Sequence, residues 1–220
     1  MTPPKVIALE EHFTSPGLRA LRGEKDTPVQ RKLDDLGELR IREMDEAGID
    51  LQIISENNPA TQNLDAETAI KLARASNDVL HEAVRRHPDR FSGFATLPTP
   101  EPAAAANELE RAVSKLGFRG AMIMGLTHGR FMDDKRFRPI FERAVELDVP
   151  LYIHPTPPHP AVQEVYFKEY LACSRSARFY PGDLDPQLSA CETAPFLLWR
   201  TDNILGERAP MPRAFAEYYR

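Results

Sequence analysis

From Val6 to His154 the chain alternates between two kinds of apolar pattern. Short, uniformly apolar runs are separated by longer stretches in which apolar residues recur every three or four positions. Val6 to Leu9 reads as a strand buried on both faces. Residues 33–47 place Leu33, Leu36, Leu39, Ile41 and Met44 at helical spacing, Gly48 stops the helix, and "IDLQIIS" follows as a second strand. Residues 65–87 predict an amphipathic helix carrying Ile70, Leu72, Ala73, Val79, Leu80 and Val84, ended by His87-Pro88. "RFSGFATLP" reads as a third strand. An Ala-rich helix over 101–115 is broken at Gly117, and "FRGAMIMG" is a fourth strand. Asp133 or Asp134 can cap the next helix, which is expected to turn Phe137, Ile140, Phe141, Val145 and Leu147 inward. "VPLYIHP" is then a fifth strand.

About five β-then-α units in succession predict a parallel sheet, because parallel neighbours need a crossover helix. An open doubly wound sheet would carry a Gly-rich phosphate turn after its first strand. Here that strand ends in "EEHF", and no such turn occurs anywhere. The predicted fold is therefore α/β, a (β/α)8 TIM-type barrel, with chemistry at the carboxyl ends of its strands. Past residue 160 the alternation fails: "ACSRSARFYPGDLDPQLSACETAP" has no sustained apolar period. "FLLWRTDNILGER" and "MPRAFAEYYR" read as helices. The expectation is one domain over 1–220, an incomplete barrel lacking its C-terminal units.

Composition narrows the functional classes. With 42% hydrophobic and 28% charged residues the chain is that of a soluble globular protein. A net charge of −5 argues against a nucleic-acid surface. No apolar run reaches the roughly 20 residues that span a bilayer, and "MTPPKV" lacks a signal-peptide layout. Cys173 and Cys191 form neither a metal-finger spacing nor a disulfide framework, so a cytoplasmic location is expected.

Candidate chemistry lies at the strand ends. Period-2 alternation puts Glu10 and His12 on one face of the first strand, with Glu11 and Phe13 on the other. His154 closes the fifth strand at the same end of a barrel. Taken singly, Glu-x-His reads as a solvated loop and His154 as a hydrogen-bonded structural histidine. Together they suggest a site for one divalent ion, Zn²⁺ or Mn²⁺. His128 follows the fourth strand and could face the mouth, Arg130 could pair with a substrate carboxylate, and Phe13 could pack against an aromatic ring or simply against the rim. His81 and His87 read as surface residues, and no role is assigned to His159.

These stretches resemble a known family. "ALEEHF", "EMDEAGIDLQIIS", "ASNDVLHEAVRRHPDRFSGFATLP", "GFRGAMIMG" and "DDKRFRPIFERAVELDVPLYIHPTPP" are similar to the amidohydrolase superfamily. The branch is that of aminocarboxymuconate-semialdehyde decarboxylase and the dihydroxybenzoate (γ-resorcylate) decarboxylases. The resemblance covers nearly all of 5–168 and returns with "ETAPFLLWRTDN". It implies a single metal held by Glu10, His12 and His154, with a late Asp whose position lies beyond Arg220. It also implies a catalytic Gly-His-x-Gly-Glu segment. Counted back from Glu192, which matches the Glu of that segment, Ser189 stands at the His and Cys191 at the second Gly.

The expected function is metal-dependent, non-oxidative decarboxylation of small hydroxyaromatic acids, with weak turnover by this chain. A metal-dependent hydrolase and a non-catalytic relative are the alternatives. A homo-oligomer is expected, with no nucleic-acid or membrane partner. Residues 172–191 keep the family's length between "YPG" and "ETAPFLLWR" but lose its strand pattern. They are expected to be irregular, as a stretch read out of frame would be, because Pro186 and buried aspartates are incompatible with a central strand.

Overall fold

A computed structural model describes residues 5–156. Expectations for residues 157–220, including the irregular 172–191 stretch, both cysteines and Glu192, lie outside the described residues. In chain order the elements begin with β1 (Ile7–Phe13), α1 (Pro16–Arg22), α2 (Pro28–Asp34), α3 (Glu38–Ala47) and β2 (Leu51–Glu56). They continue with α4 (Ala66–Arg86), β3 (Phe91–Gly93), β4 (Ala95–Thr96), α5 (Pro102–Leu116) and β5 (Ala121–Met124). A small hairpin of β6 (Leu126–Thr127) and β7 (Arg130–Phe131) precedes a 3₁₀ turn (Lys135–Phe137), α6 (Arg138–Glu146) and β8 (Leu151–His154).

The main strands are all parallel and lie in sequence order, β1-β2-β3 and β4-β5-β8. The predicted third strand is one extended run whose halves pair with different neighbours. Phe94 N–H donates to Ile54 O at 2.9 Å on one side, and Ala95 N–H to Gly120 O at 2.9 Å on the other. That progression without reversal is the barrel order; a doubly wound sheet reverses direction at a switch point.

The sheet has two different faces. One meets the helices through Ile54, Phe91, Ala95, Ala121, Ile123 and Leu151, which pack with Leu80, Leu109, Ile140 and other helical side chains. The other gathers Ile53, Phe94, Met122, Met124 and Tyr152, with Ile7, Leu9 and Leu51 against them. Apart from Ala60, this second cluster comes from strands, as the inside of a barrel requires.

Two helical expectations are corrected. The predicted 33–47 helix is two helices, because the Asp35 carboxylate accepts from the N–H groups of Gly37 and Arg40 and starts α3 afresh. Val145 is 78% exposed rather than inward. Phe137, Ile140 and Ala144 form the buried stripe, with Phe141 and Leu147 partly buried against the same core, and Val145 falls one step beyond that stripe.

Candidate metal centre

The carboxyl end of β1 reaches the site through a bulge. Ile7 and Ala8 pair with Leu51 and Gln52, but Glu11, His12 and Phe13 pair with Ile54, Ser55 and Glu56, so β1 holds one extra residue. Glu10 takes it up with φ of 63°, a left-handed conformation unusual for a glutamate. The consequence is a change of phase. Ile7 and Leu9 face the interior with Leu51 and Ile53, and uninterrupted alternation would send His12 to the helices. After the bulge His12 shares the interior parity with Ser55, and Phe13 turns into the helix-side core at 1% exposure. Phe13 is therefore a core residue, which corrects the expectation of a substrate contact.

His12 and His154 meet. Their ring centroids are 5.2 Å apart with planes at 67°. In strand order β1 and β8 are four steps apart, about 19 Å across a flat sheet at ~4.8 Å per step. The rings touch because the sheet curls. Each ring has one nitrogen engaged at its back. His12 Nδ1 is 3.1 Å from Ser55 Oγ, and His154 Nδ1 is 2.6 Å from Pro155 O. A carbonyl can only accept, so the proton of neutral His154 sits on Nδ1 and Nε2 keeps its lone pair. Burial lowers the His12 pKa to about 4, with a further reduction from His154 and an opposing effect from Glu10. His12 is thus neutral near pH 7, as a ligating imidazole must be.

Glu10 is on the same rim but is differently engaged: it accepts a hydrogen bond from the Tyr152 hydroxyl. Burial, then Glu10, raise the pKa of that phenol, which stays protonated as the donor. Among the described residues no three His, Cys, Asp or Glu side chains are gathered into a metal-holding group. The expected three-way convergence is thus only partly met: two imidazoles form the pair, and the carboxylate lies beside them on Tyr152.

The donor chemistry nevertheless fits a divalent ion. Two imidazoles bound through one nitrogen each to a tetrahedral ion place their ring centroids about 5 Å apart. Both Nδ1 atoms are held from behind in the manner of ligating histidines. Arg40 secures β1 from the helix side, donating to His12 O at 2.7 Å and to Asp35 O, Lys32 O and Gln52 Oε1.

The remaining candidates occupy the β6–β7 hairpin, which follows the carboxyl end of β5. His128 is exposed, with Nε2 2.9 Å from Leu64 O, and Arg130 pairs with Asp134 at 3.4 Å. Gln62 holds the base of this hairpin, donating to Met124 O, Leu126 O and Thr127 Oγ1 while accepting from Met124 N–H.

Sequence reasoning missed Glu56, a carboxylate at the end of β2 that is only 1% exposed. It accepts from Ser15 N–H at 3.1 Å and Ser76 Oγ at 2.6 Å. Burial raises its pKa above the usual 4.5, although Ser76, Ser15 and the nearby Arg22 act the other way. The folded state therefore holds this proton more tightly than the unfolded chain. Stability from this group is present at low pH and is lost as pH rises from about 4.5 through the folded pKa. Glu56→Gln, which mimics the neutral acid, is expected to gain in Tm over the unsubstituted chain as pH goes from about 5 to about 8. A thermal-melt difference that shrinks over that range would contradict the assignment.

A curled parallel sheet with paired histidines on its rim places the chain in the α/β-barrel class, with a candidate metal site at the mouth. Residues 7–198 match the family model described as amidohydrolase, and the chain belongs to that family. It is 34% identical over 249 aligned positions to the γ-resorcylate decarboxylase of Rhizobium radiobacter, covering 97% of this chain and 76% of the relative. The γ-resorcylate decarboxylase of Polaromonas sp. is 42% identical, covering 73% of this chain and 53% of its own length.

Among solved structures, a dihydroxybenzoic acid decarboxylase from Polaromonas sp., with bound manganese and the inhibitor 2-nitroresorcinol, superposes with a TM-score of 0.68 at 38% identity. That match covers 77% of this chain and 55% of the other. A manganese-bound 5-carboxyvanillate decarboxylase from Novosphingobium aromaticivorans also gives 0.68, at 34% identity over 74% of this chain and 54% of its own. The chain spans about half the length of these solved structures.

Proposed function

We propose that the chain is part of a metal-dependent, non-oxidative decarboxylase of small hydroxyaromatic carboxylic acids. The observation that carries the reading is the His12–His154 pair, curled together at the barrel mouth with both Nδ1 atoms engaged. Relatives named for decarboxylation of such acids support the substrate class. His12 and His154 would hold the ion, with Glu10 as the carboxylate ligand. A divalent cation, Zn²⁺ or Mn²⁺, would supply positive charge to bind and polarise a substrate carboxylate and its neighbouring phenolic oxygen.

The chain's own contributions follow from the geometry. Ser55 and the Pro155 carbonyl orient the imidazoles. Phe94, Met122, Met124 and Tyr152 form an apolar floor that excludes water beneath an aromatic ring. His128 and Arg130 are the proposed contacts of the substrate's polar groups, and Glu192 carries the proposed catalytic role. Ser189 replaces the imidazole that the family resemblance implies, so turnover is expected well below the ~10 s⁻¹ of an ordinary enzyme, since a positioned acid contributes about 10²–10⁴-fold.

Among the described residues no helix is long and apolar enough to cross a membrane. A cytoplasmic homo-oligomer is part of the proposal, its self-association supported by exposed apolar side chains such as Val29 and Val145.

The test is CO₂ release from a dihydroxybenzoate panel by the 220-residue chain, with Mn²⁺ or Zn²⁺ and with a chelator. Slow, metal-dependent release is expected. Hydrolysis of a lactone panel without CO₂ release, or identical rates with and without chelator, would overturn the reading.

A further inference from the structure

We propose that Tyr152 is a positioning residue for the metal centre and acts through Glu10; this rests on the metal reading above. Tyr152 belongs to two environments at once. Its ring is 7% exposed in the interior cluster and stacks on Phe94, with centroids 6.2 Å apart and planes at 17°. Its hydroxyl donates to Glu10 Oε1. The ring is thus fixed by packing while the polar tip reaches the rim, the arrangement expected of a buried tyrosine with one purpose for its hydroxyl.

Glu10 needs such a partner. It sits at the bulge with φ of 63° and is exposed, so its backbone alone leaves a long, flexible side chain free to point into solvent. The tyrosine hydroxyl bonds Oε1 and holds the carboxylate over the interior. Tyr152 and His154 are two residues apart on β8 and share a face, so a single strand supplies one proposed ligand and the restraint on another. Conversely, β1 supplies His12 and Glu10, each restrained from a different strand: Ser55 on β2 and Tyr152 on β8. Outer partners of this kind raise affinity by reducing the freedom that a ligand loses on binding.

The experiment measures Mn²⁺ affinity of the 220-residue chain by chelator competition, and metal-free thermal unfolding in parallel. Tyr152→Phe keeps the ring and its stacking and is expected to bind Mn²⁺ ~10–100-fold more weakly with an unchanged melting curve. In a Glu10→Ala background the same substitution is expected to change affinity by less than about twofold, because its route of action is gone. Unsubstituted affinity in Tyr152→Phe would overturn the proposal, as would an equal loss in the Glu10→Ala background. A His12→Ala chain that binds Mn²⁺ as tightly as the unsubstituted one would instead mark failure of the metal reading itself.

Discussion

Alanine at position 154 is expected to strip the chain of its divalent ion. His154 has its Nδ1 committed to Pro155 O, so only Nε2 is left to ligate, and its removal leaves His12 without its ring partner on the rim. Losing a ligand outright should exceed the ~10–100-fold loss typical of an outer partner. The fold should tolerate the change, since His154 is only half-buried and its β8 pairing with Met124 is made by the backbone. Metal content after desalting, measured by mass spectrometry, would read this directly. Full occupancy in His154→Ala would remove the histidine pair from consideration as a metal centre.

Gly120→Ala is expected to be the most damaging single methyl addition for stability. Gly120 has φ of 149°, and a Cβ built there lies 2.2 Å from the carbonyl oxygen of Pro150. That oxygen also accepts from Ala121 N–H at 3.2 Å, the bond that opens the β5–β8 pairing. Backbone cannot rotate aside as a flexible side chain can, so β8 must shift or the pairing must open. A cost of about 3 kcal/mol is reasonable for such strain with a lost buried bond, which is a fall of roughly 6–12 °C in Tm for a chain of this size. A melting temperature within about a degree of the unsubstituted chain would mean that β5 and β8 do not approach as described.

Much of this arrangement is legible in the sequence, for identifiable reasons. Strands buried on both faces are short and centred on apolar runs, so Leu51–Glu56 with its Ile53-Ile54 pair and the uniformly apolar Ala121–Met124 stand out, and the intervening helices advertise their stops at Gly48 and Gly117. The ends of the first and fifth strands pick out Glu10, His12 and His154 because polar residues break an apolar run there. The bulge is silent, because a glutamate and not a glycine adopts the positive φ. Glu56 also follows an apolar run and reads as the start of a loop; only the approach of Ser15 and Ser76 from distant elements makes it a buried acid. Phe13 misleads for the opposite reason, since its neighbours are chemical while its own side chain belongs to the core. Tyr152 looks like one more strand aromatic until the curl brings Glu10 above it.

The extra residue in β1 makes the strand a splice of two incompatible phases. Upstream of Glu10 the odd-numbered residues line the lumen; downstream the even-numbered His12 does. The backbone conformation at the junction therefore decides which side chain reaches the lumen. A glycine at position 10 would relax the left-handed backbone and preserve the phase at the cost of the carboxylate, whereas straightening β1 with every residue retained would drive the imidazole into the helix layer and the Phe13 ring into the opening. A residue inserted between Glu11 and His12 would turn the imidazole to the helix side in one step, whereas loss of the bulged residue itself would leave His12 facing the lumen.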